Sequence, residues 1–123
     1  MKKPSKKKPK LILASLSPRR ASILAQLGIP FRVVEGNFKE EAIVGKSTPE
    51  KIRALVIKNA RGKALSVVKR VKEGTILGVD TLVLHKDEVI GKPKDRNDAL
   101  RILRTLSASS HLVFSGIVLI RKE

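Results

Sequence analysis

The chain contains no cysteine, no tryptophan and no tyrosine, and these absences exclude several kinds of site. Without cysteine there is no disulfide framework, no thiolate zinc site and no cysteine nucleophile, so catalysis would have to use oxygen and nitrogen groups. The only large aromatic side chains are Phe31, Phe38 and Phe114. Proteins that bind single-stranded nucleic acid stack unpaired bases on aromatic rings, so the composition disfavours that class.

Long apolar runs are also missing, since none approaches the roughly 18 to 20 residues that a membrane-spanning helix needs. The first ten residues, MKKPSKKKPK, contain no apolar segment and no small-residue cleavage pattern, so they do not resemble a signal peptide. A chain of 123 residues has the size of one domain with one core. We therefore expect a soluble, cytoplasmic domain at residues 11–123, preceded by a basic, disordered tail at residues 1–10.

Negative charge is scarce, because 11 Asp and Glu face 27 Lys and Arg, for a net charge of +16. Six of the lysines lie in the first ten residues, and the rest of the chain still carries most of the excess. Such a balance favours a polyanionic partner: nucleic acid, nucleotide phosphates or an anionic surface. For the tail itself two interpretations stay open, a solubilising arm and a nonspecific contact with nucleic acid.

The hydrophobic pattern predicts an α/β fold with a mixed, twisted sheet flanked by helices. Strands are predicted at residues 11–14, 31–34, 75–84, 89–90 and 112–120, with a hairpin turn at residues 86–88. One helix begins at Ser17 and Pro18 and stops at Gly28, a second follows a capping box of Ser47, Pro49 and Glu50, and a third follows acidic caps at residues 95–98.

The last predicted strand is strongly apolar and ends a few residues before the end of the sequence. Such a strand normally has neighbours on both sides. Two explanations stay open: the strand lies at a sheet edge that a partner chain shields, or further sequence is needed to cover it.

A candidate phosphate site lies at residues 15–20, SLSPRR, where a buried strand meets a helix. The free N–H groups and positive dipole end of a helix N-terminus attract anions, and two hydroxyls and two arginines would add charge-assisted hydrogen bonds. The alternative, about equally good on these residues alone, is an ordinary N-cap followed by two solvated arginines.

A second candidate is Asp80, a lone acid inside the apolar segment 76–83. Burying a carboxylate without a partner is costly, and a metal ion or a basic group would relieve that cost. The alternative is a turn or bulge in which Asp80 caps backbone N–H groups. Lys92, in the Gly-Lys-Pro break after the hairpin, could reach the same end of the sheet or be an ordinary loop lysine.

Four segments in this order, LILASLSPRR, GVDTLV, GKPKD and LSASSHLVFSGIVL, resemble the Maf family of nucleotide pyrophosphatases. The corresponding family stretches are approximately ASxSPRR, GADTxV, GKPxD and LSGxxHxVxTG. The resemblance implies a Maf/ITPase-like fold that is incomplete at its C-terminal end, because family members are longer by about a third of a domain. It also favours a homodimer.

The resemblance implies roles for nine residues of this chain. Asp80 and Glu40 would be catalytic, with Asp80 accepting a proton from the attacking water, and both would hold a divalent cation, Mg²⁺ or Mn²⁺. The family usually has an Asp-Glu pair at this place, whereas this chain has Lys39 followed by Glu40. If the alignment shifts by one residue, Glu41 takes the role of Glu40. The remaining seven would bind substrate: Ser15, Ser17, Arg19, Arg20, Lys63, Thr81 and Lys92, of which Arg19 and Thr81 influence substrate choice.

The activity implied by the resemblance is hydrolysis of an NTP or dNTP to the monophosphate and pyrophosphate. Arg19 is similar to the branch that prefers dTTP and UTP. No histidine is required by this chemistry, so we expect His111 to be structural. The alternative is a catalytically weak or inactive nucleotide- or nucleic-acid-binding protein with a regulatory role in cell division.

Overall fold

In the residues that the computed structural model describes, 10–107 and 109–123, five strands and three helices follow one another in the predicted order. The predicted tail falls on residues 1–9, which lie outside the described ranges, and on Lys10. The α/β class and the hairpin are confirmed. The elements are β1 (Leu11–Leu13), α1 (Pro18–Gln26), β2 (Phe31–Val33), α2 (Pro49–Val68), β3 (Gly74–His85), β4 (Glu88–Ile90), α3 (Arg96–Leu106) and β5 (Leu112–Lys122).

The strands form one mixed sheet around β3. β1 pairs in parallel with β2 and with the first part of β3, and parallel neighbours need crossover connections, which α1 and α2 supply. β4 and β5 are both antiparallel to β3. The sheet therefore has the order β2-β1-β3-β4, with β5 paired along the whole length of β3.

The core lies between α2 and one face of the sheet, where α2 packs on β3 and β5. Two glycines allow this close approach. A Cβ atom at Gly116 would lie 2.5 Å from the carbonyl oxygen of Val56, and one at Gly78 would overlap the carbonyl oxygen of Ala60. The helix backbone thus rests directly on the two longest strands.

The helix starts follow local capping rules, with one correction to the prediction. Ser17 caps α1 as expected, and Asp95 caps α3. The prediction of Ser47 as the cap of α2 is wrong, because Thr48 accepts the capping hydrogen bond. The physical reason is that Pro49 occupies the first helical position, where its missing N–H costs nothing, so the cap is the residue directly before it.

The three helices differ in how they bury apolar side chains. α2 buries residues along most of its length, whereas α1 and α3 contain no buried residue. Leu103, on α3, is 65% exposed. No helix in the described part of the chain has both the length and the apolar character needed to span a membrane.

The sheet face opposite α2 is apolar and open along β5. Val113, Ile117 and Leu119 alternate with inward-facing residues and are more than half exposed. Within the described ranges, β5 pairs with β3 alone, so its outer edge carries backbone groups without strand partners. β5 is therefore an edge strand in the described part of the chain, and both explanations from the sequence stay open.

Candidate active site

A cavity of about 490 Å³ opens beside the junction between β1 and α1. The junction, the loop between β2 and α2, the middle of α2 and the segment after β4 all contribute to its wall. Six of the nine residues predicted from the resemblance line it: Ser15, Ser17, Arg19, Glu40, Lys63 and Lys92. The fold thus brings together groups that are up to 77 positions apart in the numbering of the chain.

The β1–α1 junction is organised by hydrogen bonds among its own residues. Ser15 Oγ accepts from the backbone N–H of Ser17 and from the Arg20 guanidinium, each at 3.2 Å. Ser17 Oγ accepts from the Arg20 backbone N–H at 3.5 Å and so caps α1. Ser17 is therefore an N-cap, and the same helix start faces the cavity, while phosphate binding at the SLSPRR segment stays a prediction.

The β2–α2 loop is anchored on α2 on both sides of Glu40. Before it, the Phe38 ring packs so closely on Gly62 that a Cβ atom there would overlap the ring. After it, the side chain of Asn59 bonds the backbone of Glu41 at both its N–H and its carbonyl, at 3.0 and 2.9 Å. These two anchors direct the Glu40 carboxylate toward the cavity, which it lines.

Lys63 links the two predicted catalytic carboxylates. Its ammonium group forms an ion pair with Glu40, lies 3.5 Å from Asp80 Oδ1 and donates a hydrogen bond to the Val79 carbonyl at 3.0 Å. Asp80 is 5% exposed and lies in the middle of β3 opposite Gly116. The interpretation of Asp80 as a turn or bulge cap is therefore wrong, because a basic group and an amide relieve its burial within a regular strand.

The electrostatic surroundings of Glu40 are dominated by opposing effects. Burial raises the pKa of Glu40, but the hydrogen bond from Lys63 and the positive charges of Lys63, Lys92 and Arg20 lower it. The net result is a pKa below the ordinary value of 4.5. Glu40 is consequently held as a carboxylate at neutral pH, surrounded by cations.

The donor set suits a hard divalent cation that shares its coordination with a ligand. In the described ranges, no group of three or more His, Asp or Glu side chains could hold a metal ion by itself. Mg²⁺ in nucleotide sites, however, usually binds one or two carboxylates together with waters and substrate phosphates. Glu40 and Asp80 already converge on one positive centre, Lys63, and so fit that pattern. Glu41 turns away and pairs with Lys58 at 2.6 Å.

Three of the nine predicted residues do not line the cavity wall. Asp80 is connected to it through Lys63, and Arg20 through Ser15. Thr81 lies on the opposite face of β3, since successive side chains of a strand alternate, and its hydroxyl is 3.0 Å from that of Ser115. The roles assigned to these residues stay predictions, as does the structural role of the exposed His111.

Sequence reasoning missed Asn59, which the structure places beside Asp80. Its amide nitrogen donates to Asp80 Oδ2 at 3.0 Å, and the residue is 1% exposed. A signal was available, because an asparagine interrupts the apolar stripe of α2 four residues before Lys63 and therefore on the same helix face. A buried amide in such a position needs polar partners, and these partners belong to the site.

Comparison with known proteins gives a family and several relatives. The family model described as "Maf-like protein" matches residues 10–123. A "dTTP/UTP pyrophosphatase" of Dictyoglomus turgidum is 45% identical over 107 residues, which cover 87% of this chain and 54% of the relative. Proteins of the same name from a Thermoanaerobacter species and Aquifex aeolicus are 41% and 42% identical, with 93% of this chain and 58% and 57% of the relatives covered.

The match covers nearly all of this chain but only part of each relative. The chain spans little more than half of the length of these relatives, so the unmatched share is larger than the third expected from the resemblance. The match itself includes the β1–α1 junction, the β2–α2 loop, α2 and the segment after β4, which are the segments that build the cavity. The chain therefore belongs to the Maf-like protein family.

Proposed function

We propose that the protein is a nucleoside triphosphate pyrophosphatase, which hydrolyses an NTP or dNTP to the monophosphate and pyrophosphate. The observation that carries the proposal is the arrangement of Glu40 and Asp80 around Lys63 at the edge of a cavity whose wall includes the N-terminus of α1. The names of the three relatives support the same activity.

Positive charge around the cavity supports binding of a triphosphate. Arg19, Lys63 and Lys92 line the wall, and Arg20 is held against Ser15 at the same junction. Backbone N–H groups at a helix start bind phosphate oxygens well, because the helix dipole is positive there. We propose that the β1–α1 junction and these cations hold the phosphate chain.

The reaction needs a proton acceptor and charge neutralisation. Water attacks the α-phosphorus, the bond to the oxygen that bridges to the β-phosphorus breaks, and the electron pair leaves with pyrophosphate. Asp80 accepts the proton of the attacking water, while Lys63 contacts both carboxylates and orders them. A divalent cation, when held by Glu40 and Asp80, would neutralise charge on the phosphate oxygens.

The preferred nucleotides are proposed to be dTTP and UTP. Arg19 stands in the version of the first motif that resembles the pyrimidine-preferring branch, and it lines the cavity. The names of the relatives contain the same two nucleotides. Thr81, on the other face of β3, would influence this choice only through the sheet. We also expect the protein to act in the cytoplasm.

Pyrophosphate release from a panel of nucleoside triphosphates, with Mg²⁺ or Mn²⁺ and after chelation, tests the proposal. We expect metal-dependent release with dTTP and UTP as the best substrates, and a loss of about 10² to 10⁴-fold in Asp80→Asn. Asp87→Asn is the matched control, because Asp87 is exposed in the hairpin turn at φ 66°, where asparagine fits well.

The opposite outcomes point to different conclusions. If the chain binds nucleotide in calorimetry but releases no pyrophosphate, the protein is a nucleotide-binding protein without turnover, as the alternative hypothesis has it. Absence of both release and binding would overturn the whole proposal. If Asp80→Asn releases pyrophosphate as fast as the intact chain, Asp80 is not the proton acceptor.

Nonspecific nucleic-acid binding through residues 1–10 is a separate proposal, supported by six lysines in ten residues. Neutralised phosphates release counterions, so such binding should weaken steeply with salt. Deletion of residues 1–10 should abolish binding to a duplex oligonucleotide and leave pyrophosphate release unchanged. Binding that survives the deletion with the same salt dependence would contradict this proposal.

Self-association through β5 is also proposed, with a second copy of the chain as partner. The open edge of β5 and the exposed Ile117 and Leu119 support it, because long apolar edges pair readily with another chain. Sedimentation velocity should give a dimer for the chain and a monomer for Leu119→Glu. Leu65→Glu, on the exposed side of α2, is the control. A monomeric intact chain would refute the proposal.

A further inference from the structure

Asn59 is the only polar side chain among the buried residues of α2. It is 1% exposed, and it lies between the two apolar core clusters that include Val56 and Ala64. An amide in this environment costs free energy unless its donors and acceptor are all bonded. The three hydrogen bonds of Asn59 therefore offset the free-energy cost of burying its amide, which apolar packing alone would not favour.

The hydrogen bonds of Asn59 join three separate segments. Oδ1 accepts from the Glu41 N–H at 3.0 Å, and Nδ2 donates to the Glu41 carbonyl at 2.9 Å and to Asp80 Oδ2 at 3.0 Å. Both N–H groups of the amide are thus in use. A flipped amide would set an oxygen against the carbonyl and the carboxylate, so the network admits only one orientation of the side chain.

The hydrogen bonds of Asn59 set the positions of the charged groups at the cavity. One amide holds Asp80 Oδ2, which leaves Oδ1 directed at Lys63, and the same amide fixes the backbone of the residue directly after Glu40. Lys63 lies one helical turn after Asn59 on the same face of α2. The relative placement of both carboxylates and the ammonium group therefore depends on Asn59.

We propose that Asn59 is a positioning residue, which sets the placement of Asp80 and Glu40 for cation binding and hydrolysis. This inference rests on the proposed function and deepens it. Side chains that orient the ligands of a metal or a reacting group are typically worth about 10 to 100-fold in affinity or activity. Asn59 touches no substrate in this account, and its effect passes through Asp80 and the β2–α2 loop.

Two substitutions separate the contacts of Asn59. Asn59→Leu keeps the approximate volume and the helix but removes all three hydrogen bonds. Asn59→Asp keeps the acceptor for the Glu41 N–H and loses both donors, including the one to Asp80. Asn97→Leu and Asn97→Asp, on exposed α3, are matched controls for the chemical change. Far-UV circular dichroism checks that each variant is folded.

The kinetic readout distinguishes positioning from simple destabilisation. We expect both Asn59 variants, measured where they are folded, to lose about 10 to 100-fold in kcat and to need about tenfold more Mg²⁺ for half-activation, with KM for the nucleotide changed less than about threefold. The Asn97 variants should match the intact chain. Unchanged kcat and Mg²⁺ requirement in both Asn59 variants would overturn the inference.

A second readout does not depend on turnover. Amide hydrogen exchange at Glu41 should become about tenfold faster or more in Asn59→Leu and remain slow in Asn59→Asp, because only the latter keeps an acceptor. Mn²⁺ binding in the presence of a non-hydrolysable triphosphate analogue, followed by electron paramagnetic resonance, should weaken about tenfold in both variants. If the intact chain releases no pyrophosphate, the proposed function fails, and these two measurements still decide the inference: unchanged exchange and unchanged Mn²⁺ binding would refute it.

Discussion

Replacement of Gly116 by alanine should strongly destabilise the protein, because the glycine allows α2 to rest on β5. A Cβ atom at this position would lie 2.5 Å from the carbonyl oxygen, 2.6 Å from the carbonyl carbon of Val56 and 2.8 Å from the nitrogen of Ile57, whereas ordinary contact begins at 3.4 Å. All three atoms belong to the helix backbone, so no side chain can rotate away. α2 would have to withdraw by about 0.9 Å from the sheet.

The free energy of unfolding should fall by about 3 kcal/mol, the upper part of the range for overpacked cores, because the withdrawal loosens both core clusters together. With a urea m-value of about 1.5 kcal/mol/M, the unfolding midpoint would drop by about 2 M. The chain has no tryptophan or tyrosine, so unfolding is best followed by far-UV circular dichroism.

Gly91→Ala is the matched control for Gly116→Ala. A Cβ atom at Gly91 would meet no atom within 4 Å, so we expect a change of less than about 1 kcal/mol, in the stabilising direction. Because Gly116 lies opposite Asp80 in the sheet and Lys63 projects from α2, Gly116→Ala should also lower pyrophosphate release. Equal midpoints for the two alanine variants would refute the argument from close packing.

Three further perturbations follow from individual contacts. Ser17→Ala removes the N-cap of α1 and should cost about 1 kcal/mol in urea unfolding, together with weaker nucleotide binding; an unchanged midpoint would contradict the capping role. Lys122→Met removes hydrogen bonds of 2.7 Å to the carbonyl of the last residue of α2 and to a carbonyl three residues beyond it, and should cost about 2 kcal/mol; Arg121→Met, with a side chain 79% exposed, should change little. Because the pKa of Glu40 is lowered on folding, its contribution to stability is present above pH 4.5 and lost as the pH falls through the lowered value. The stability difference between the intact chain and Glu40→Gln should therefore shrink on acidification in urea titrations, and a difference that grows would show the sign to be wrong.

In the cavity wall, one lysine contacts two carboxylates. A buried Asp80 without a cation would be costly, and Lys63 relieves that cost while it also contacts Glu40. Arg20 and Lys92 add positive charge around the same carboxylate, as the lowered pKa of Glu40 indicates. A polyphosphate would therefore enter a region where positive charge already exceeds negative charge.

Local sequence patterns were sufficient for most of the secondary structure. The apolar runs of β1 and β3 and the hairpin turn before β4 depend on contacts between near neighbours in sequence, and the structure agrees with each. The prediction of Ser47 as the cap is wrong, although Ser47 and Thr48 both offer a hydroxyl. Only the placement of Pro49 at the first helical position distinguished Thr48 from Ser47.

The site was predictable where motif spacing carried information and unpredictable where it depended on strand direction and packing. Ser15, Glu40 and Lys92, to which the resemblance gives roles in one site, line one cavity, and their roles stay predictions. Thr81 follows Asp80 directly in sequence, yet it lies on the other face of β3, because alternation sends neighbouring side chains to opposite sides of a sheet.

By itself, the sequence determined the order of strands and helices, the excess of positive charge and the motif residues, because these depend on composition and short-range periodicity. Tertiary structure alone decided that Lys63 pairs with both Glu40 and Asp80 and that Asn59 connects Asp80 to the β2–α2 loop. These contacts join residues that are 17 to 23 positions apart, and they form only when α2 packs on β3. Their distances are set by the close approach of helix and sheet at Gly78 and Gly116, which no local pattern encodes.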